Sequence, residues 1–511
     1  MRWERWRPWV LAAGAGVCLA LAMPGLGVAP LVLLTPGLLR RAFDGLSPRR
    51  AFAVGWVGGA SEWVVGVAWV LVVLTRYGGL GWPLSILALV LMSGILGLMW
   101  GLAGWLAARA PEGWRGWLLP LLLVCFEVVQ HLPPWIFPWN PVAAVLTPWP
   151  GFLRPLPVLG TPGLSLVLLM LGSGLDLLLA RARRREGAAL ALGAVAAWVM
   201  AAWLAPGFQP AGPAFTAAAV QPNVPLEERW NPANEEAIET RVWRLSAAAA
   251  DAGASLVTWS ESSIPRYVQQ DGAYRVAIEE LARSRGVWLL LGSIGFGARD
   301  GEYYNSVFVA SPGGLLPYRY DKMHLVPFGE YLPLVGHLPF LKPLVREVSS
   351  FTPGTAALPL PGPGGPMGVA ICYEVTYPWL YASEVQRGAK LLVTITNDGW
   401  YGDSAAPRQH LALAILRAAE ARRYLVRSAN TGISAVIDPY GRVLRRLEVG
   451  QEGFITESVQ PGNGVTPAVS GVVGSRVILV LTACGAILCA VRRRPSLRPP
   501  APSAGRGGVD A

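Results

Sequence analysis

Apolar residues are spread very unevenly along this chain. They run in long blocks at about 8–23, 26–40, 51–75, 82–108, 116–132, 158–180 and 187–205, and one more block covers 471–491. A helix needs about 20 mostly apolar residues to cross a bilayer. The pattern therefore predicts a membrane domain of about seven spans over 1–205, a final transmembrane helix at 471–491 and a tail at 492–511. The first two blocks are short and meet at Pro24-Gly25, so they form either a re-entrant hairpin or two tilted helices.

From 206 to 470 the pattern changes. Short β-branched runs at 215–220, 255–259, 287–292, 306–310, 368–372, 391–396, 424–428 and 433–437 alternate with helical stretches near 233–252, 273–285, 376–387 and 408–422. Alternating strand and helix predicts an α/β architecture whose sheets are covered by helices. Gly and Pro punctuate 312–366, where strand signals are few. Within it, 323–353 reads as a long loop with an unusual apolar content: Leu325, Val326, Phe328, Leu332, Leu334, Phe340 and Leu341. A connection of that length is expected to be functional, here as a lid.

Composition agrees with this division. Of 511 residues, 53% are hydrophobic and 15% charged, whereas a soluble chain carries about 25% charged residues. The net charge of +11 comes largely from Arg clusters beside the apolar blocks, at Arg2/Arg5/Arg7, Arg40/Arg41, Arg49/Arg50, Arg181–Arg185 and Arg492–Arg494. Such clusters mark cytoplasmic ends of spans and argue against a nucleic-acid partner. With the N-terminus inside, loops near 41–50, 109–115 and 181–186 and the C-terminal tail all bear Arg, while the outer loops carry only Arg76 and Arg154. Both termini are thus expected in the cytoplasm and 206–470 outside it, in a bacterial inner membrane. The outer loop around 131–149, rich in Trp and Pro, reads as an interfacial segment. Glu62, Glu127 and Asp176 fall within or near spans, where a carboxylate marks chemistry, a span edge or an internal hydrogen bond.

Of five cysteines, Cys18, Cys125, Cys484 and Cys489 lie in apolar blocks and read as small buried hydrophobes. Cys372 alone belongs to the aqueous part. It ends a strand as Val-Ala-Ile-Cys372-Tyr373-Glu374. Leu-Val-Thr-Trp-Ser-Glu261 ends another, and Tyr-Arg-Tyr-Asp-Lys322 places a lysine just past a third. Ligands of α/β sheets gather at carboxyl ends of strands, so these three side chains are candidates to converge. Lys322 is notable in a chain whose basic residues are almost all Arg, since a compact ammonium serves an oxyanion where a guanidinium does not. Lys342 and Lys390, the other two lysines, read as surface residues.

These motifs, with Glu330 in His-Leu-Val-Pro-Phe-Gly-Glu-Tyr and Trp400 in Thr-Asn-Asp-Gly-Trp-Tyr-Gly, resemble the carbon–nitrogen hydrolase (nitrilase) superfamily. With spans on both sides of them, the chain is most similar to the apolipoprotein N-acyltransferase family. One departure stands in the membrane part, where Glu127-Val-Val-Gln130 replaces the family's Glu-Trp-x-Arg. The resemblance implies an αββα sandwich attached to a multi-span helical membrane domain. It also implies a catalytic set of Glu261 as base, Lys322 as oxyanion partner and Cys372 as nucleophile. Glu330 is then expected to hold Lys322 and the lid, Tyr373 and Glu374 to flank the nucleophile, and Trp400 to touch lid or acyl chain. His324 reads as structural, and His337 and His410 carry no signal. The implied partners are a phospholipid acyl donor, a diacylglyceryl apolipoprotein acceptor and the bilayer, with the protein a monomer. No cofactor or metal is expected. Two rivals share some of these features: a membrane-tethered amidase acting on small amides, and a transporter or receptor whose aqueous domain only binds lipid.

Overall fold

The computed structural model describes residues 2–132, 137–180, 183–327, 329–331, 351–471, 481–483 and 485. Most of the expected lid and of the final span, together with the whole tail, lie outside the described residues.

The first part is helical: α1 (Arg2–Ala22), α2 (Thr35–Ala42), α3 (Pro48–Gly66), α4 (Val70–Val72), α5 (Trp82–Arg109), α6 (Arg115–Val129), α7 (Leu156–Leu179) and α8 (Arg184–Leu204). Among the described residues, α5, α7 and α8 are each long and apolar enough to cross a membrane. Small residues let the helices touch: a Cβ at Gly16 would stand 2.1 Å from the Gly58 carbonyl oxygen, and one at Gly59 would stand 2.9 Å from the Gly97 Cα. Close backbone approach of this kind is what drives helix association where no hydrophobic effect operates.

Three expectations change here. The block at 26–40 is no continuous helix but a 3-10 turn, Ala29–Leu34, running into α2. The block at 51–75 breaks after α3, and the following Val70–Tyr77 stretch departs at 62°. The break has a cause in side chains that intrude on the helix ladder. The Gly66 carbonyl accepts from Gln409 Nε2 at 3.0 Å and Asn140 Nδ2 at 3.3 Å, while the Val70 N–H turns to Val67 instead. The loop at 131–149, expected to be interfacial, is partly core, with Trp149 left 46% exposed. Over its described part, Trp139 is only 1% exposed and Val142–Leu146 forms a 3-10 turn in the core.

The charges within the helices prove to be structural where partners are visible. Asp176 is held by Arg40 at 2.8 Å and Arg41 at 2.5 Å, tying α2 to α7. Glu127 accepts from the Val142 N–H at 3.0 Å and Ser165 Oγ at 2.9 Å. Glu62 is buried and lines a cavity together with Glu127, Gln130 and Asn140.

The second part is a sandwich. Its elements are β1 (Phe215–Gln221), α9 (Leu226–Arg229), α10 (Glu235–Asp251), β2 (Leu256–Thr258), α11 (Gly272–Arg285), β3 (Trp288–Phe296), β4 (Tyr303–Ser311) and β5 (Gly314–Asp321). There follow β6 (Met367–Ile371), α12 (Pro378–Gln386), β7 (Leu391–Thr396), α13 (Ala406–Ala421), β8 (Leu425–Ala429), β9 (Ser434–Ile437), β10 (Val443–Leu447) and β11 (Gly453–Val459). One sheet has the order β11-β1-β2-β3-β4-β5 and the other β10-β9-β8-β7-β6. All eight expected runs form strands, and β5, β10 and β11 are added at sheet edges; of β5 only the end before Lys322 is expected from the sequence. The sheets face each other through a core that includes Ala217, Leu256, Val307, Val369, Val393 and Val436. α10 and α11 cover the first sheet. α12 and α13 cover the second, and the same apolar cluster continues into Trp63, Trp69, Trp139 and Leu156 of the helical part. The layers are therefore α-β-β-α, with the last layer pressed against the helical region.

Candidate active site

β1, β2 and β3 run parallel, as do β6, β7 and β8. β5 follows β3 through two antiparallel steps and so points the same way. The carboxyl ends of β2, β5, β6 and β7 consequently deliver Glu261, Lys322, Cys372 and Asn397 to neighbouring edges of the two sheets.

Cys372 opens a 3-10 turn, Cys372–Thr376, directly after β6 and has φ 54°. A non-glycine residue in this left-handed region costs about 1–3 kcal/mol and persists only where its surroundings hold it. Two groups hold this one. Glu374 accepts from the Ile371 N–H at 2.8 Å, and His410 Nε2 stands 3.1 Å from the Cys372 carbonyl oxygen. The bend turns the chain off the strand so that the thiol stands at the sheet edge. Burial, and then the neighbouring Glu261, push the thiol's pKa upward against the opposing effect of Lys322. The resting group is therefore a thiol and needs a base.

Lys322 is buried, with Nζ 2.8 Å from each Glu330 oxygen and 3.7 Å from Glu261 Oε1. Burial disfavours its charge, yet Glu330 and Glu261 outweigh it and raise the ammonium above its ordinary range. Glu261 Oε1 also accepts from Asn305 Nδ2 at 2.7 Å, and Oε2 from the Asn397 N–H at 3.0 Å. Asn305 bonds Glu330 Oε1 as well, at 2.9 Å. Glu330 further accepts from the Val326 N–H at 2.8 Å, which ties the first residues of the long loop to the lysine.

The remaining sequence candidates divide by surroundings. Glu374 accepts from Tyr320 Oη at 2.9 Å and from the N–H groups of Met323 at 2.7 Å and His324 at 3.1 Å. It is a structural carboxyl that joins the end of β5 to the nucleophile turn. Tyr373 is buried and stacks on Trp139, with planes 10° apart. Trp400 is half-exposed and meets Tyr77 edge-on at 5.3 Å. His324 stacks on Tyr377 at 4.1 Å, and burial and then Lys322 lower its pKa.

Several residues escape a reading of the sequence. His410, which carries no signal there, is buried beside Asp398 Oδ1 at 2.9 Å as well as the Cys372 carbonyl. Arg427 donates to Asp398 Oδ2 at 2.6 Å. Arg229 donates to the Glu261 carbonyl at 3.0 Å and to that of Ser262. Asn305 lies in a strand, and Arg229 and Arg427 are two arginines lost among so many. The Asn397-Asp398 pair, polar directly after an apolar strand, was the one visible cue.

A buried thiol at a strand end of one sheet, facing a carboxylate and an ammonium from the other, is an arrangement chemically able to support acyl transfer or hydrolysis of the carbon–nitrogen hydrolase type. A family model described as carbon-nitrogen hydrolase matches residues 216–464, and one described as apolipoprotein N-acyltransferase N-terminal domain matches 15–174. The apolipoprotein N-acyltransferase of Geobacter metallireducens is 34% identical over 471 residues, 90% of each chain. That of Methylococcus capsulatus is 33% identical over 473 residues, 90% of this chain and 91% of the relative. Among solved structures, the nitrilase-superfamily protein Nit3 of Saccharomyces cerevisiae is similar over 52% of this chain and 95% of its own, with 18% identity and a TM-score of 0.40. The chain belongs to the apolipoprotein N-acyltransferase family.

Proposed function

We propose that the protein moves a fatty acyl group from a membrane phospholipid to the α-amine of a diacylglyceryl-cysteine at a lipoprotein's N-terminus, in two steps through Cys372. In the first, Glu261 takes the thiol proton as sulfur attacks the ester carbonyl. The developing oxyanion is met by Lys322 and by the backbone N–H that follows Cys372. Collapse breaks the ester C–O bond, the lysophospholipid leaves with the proton from Glu261, and a thioester remains. In the second, the lipoprotein amine attacks the thioester, Glu261 takes its proton, and the cysteine leaves as thiol. The same acid–base group thus serves both halves of a ping-pong cycle.

The observation that carries this reading is the placement of the thiol. Tyr373, next to Cys372, stacks on Trp139, a residue of the helical region. Both lipid substrates live in the bilayer, and a nucleophile turn resting on the membrane-facing part meets them where they are. The small substrate of a tethered amidase would need no such contact. The Arg-bearing loops support an orientation with 206–470 on the outer face of the cytoplasmic membrane and both termini inside.

The test is intact-mass spectrometry of the full chain after incubation with phospholipid, beside Cys372→Ala. A hydroxylamine-sensitive acyl adduct on the wild type and none on the variant is the expected result, with lipoprotein acylation down by at least about a thousandfold in the variant. No adduct on folded wild type, with ammonia released from simple amides, overturns it.

A further inference from the structure

Glu261 is gripped on two sides. On one, the Asn397 N–H donates to Oε2 at 3.0 Å, and Asn397 leads into the turn Asp398–Tyr401. On the other, Arg229 at the end of α9 donates to the carbonyls of Glu261 and Ser262. Ser262 has φ 44°, a left-handed conformation that needs outside support of this kind.

Both grips lead back to one segment of the helical region. After α3 breaks, Val73–Tyr77 forms a single π-helical turn, a rare form concentrated at functional positions. From it the Tyr77 hydroxyl donates to the Gly399 carbonyl at 2.9 Å, inside the turn that follows Asn397. The Tyr77 ring packs edge-on against Trp400, and the Trp69 ring packs against Tyr401 at 4.8 Å. A Cβ on Gly402 would reach Val72 at 3.5 Å, so the chain lies flush against the bent segment. Beside Tyr77, Arg76 pairs with Glu227 of α9 at 2.9 Å. That second arm is exposed at both ends and contributes little.

We propose that Tyr77 is a positioning residue for Glu261. The bent segment fixes the 398–401 turn, and the turn's leading amide fixes the carboxylate over the thiol. The geometry of the base thereby depends on the membrane part of the protein, not on the sandwich alone. The inference rests on the reading of Glu261 as the base of Cys372. Among the described residues, the charged or titratable groups facing Glu261 are Lys322, Glu330, Cys372, Arg229 and Tyr401, and none of them is hydrogen-bonded to Tyr77.

The experiment uses full-length protein in lipid nanodiscs, with the pH dependence of Cys372 alkylation by iodoacetamide followed on its own peptide by mass spectrometry. Glu261 raises the thiol's pKa, so Glu261→Gln is expected to move the alkylation midpoint to lower pH. Tyr77→Phe, which keeps the ring and loses one hydrogen bond, is expected to move it the same way by a smaller amount. It should also slow thioester formation about fivefold with KM unchanged, the effect of one hydrogen bond of ordinary strength. Tyr77→Ala, which also loses the Trp400 contact, should exceed Tyr77→Phe in both. Midpoints in both Tyr77 variants equal to wild type, with Glu261→Gln displaced, overturn the inference and leave the base intact, whatever happens to the melting temperature. An unmoved midpoint in Glu261→Gln overturns the reading of Glu261, and the inference with it.

Discussion

Two of the helices that flank the sandwich, α11 outside the first sheet and α13 outside the second, carry the same kind of side-chain pair in opposite settings. On α11 only Tyr274, Ile278 and Ala282 are buried, and Arg275 meets Glu279 at 3.0 Å with 55% and 22% of those side chains exposed. On α13 every residue but Arg408 is buried, and Arg417 meets Glu420 at 3.1 Å with 2% and 8% exposed. The first is an ordinary amphipathic helix with one wet face. The second has a sheet on one side and membrane helices on the other, so it is apolar nearly all round. Polar groups on such a helix must find partners inside. Gln409 accepts from Trp69 at 3.0 Å and Trp139 at 2.7 Å, and Glu420 accepts from the Thr161 N–H and hydroxyl at 2.5 and 2.6 Å. The sandwich is thus fastened to the helical region by buried hydrogen bonds from α13, while α11 on its other flank keeps a wet face among the described residues.

The largest effect on stability should come from breaking that fastening. Glu420→Ala leaves the Thr161 donors buried without their acceptor and the Arg417 guanidinium without its carboxylate, though still bonded to the Thr161 hydroxyl at 2.7 Å. Removing one partner of a buried ion pair costs about 3–5 kcal/mol. A large drop in the unfolding temperature of the full chain is expected, measured by intrinsic fluorescence. A drop no greater than that of an exposed pair would mean that α13 is as wet as α11, and the contrast between the flanks would fall.

How much of this could be read from sequence follows the same contrast. Strands buried on both faces announce themselves as apolar runs, as Met367–Ile371 and Leu391–Thr396 do. β10 and β11 lie at sheet edges. β10, Val-Leu-Arg-Arg-Leu, carries two arginines in five residues and has no fully buried position. β5, also an edge, contains Pro317, which a central strand would not tolerate, and only its end is legible. Glu261 and Cys372 are visible because each closes an apolar run with an abrupt change of chemistry, and Lys322 because it is a lysine at a strand end in a chain whose basic residues are almost all Arg. Their supports are not. Asn305, Arg229 and His410 are recruited from elements far away in sequence, and no local pattern records a contact over such a separation. The break after α3 was hidden for the same reason: the side chain that causes it, Gln409, is 343 positions away.

Between the two flanks, at the joint of the sheets, Glu374 offers a test by pH. Burial raises its carboxyl from the ordinary range to about 7, opposed by the N–H groups of Ile371, His324 and Met323 and by Lys322. A folded-state pKa above the unfolded value of 4.5 stabilises the fold fully below about 4.5, and that stabilisation is lost as pH rises through about 7. The wild type should therefore lose unfolding temperature between pH 5 and pH 8. Glu374→Gln should be less stable at pH 5, because an amide oxygen serves four donors poorly, and should lack this part of the slope. Parallel pH profiles for the two proteins would show that Glu374 keeps its charge in the fold, supported by Lys322 across the sheet gap.

The smallest effect is expected on the wet flank, and it sets the scale for the others. Glu279→Ala removes the exposed partner of Arg275 and also an acceptor 3.4 Å from the Leu315 N–H, a contact too long to matter much. An i,i+4 pair in water contributes about 0.3–0.5 kcal/mol, and salt screens it over about 10 Å at 0.1 M. The variant should melt within a degree or two of wild type, a difference that fades further as salt is raised, while the deficit of Glu420→Ala persists at high salt because water and ions do not reach it. Equal salt sensitivity in the two variants would place Arg417 and Glu420 in contact with solvent. The weld between sandwich and membrane helices would then have to rest on apolar contact alone.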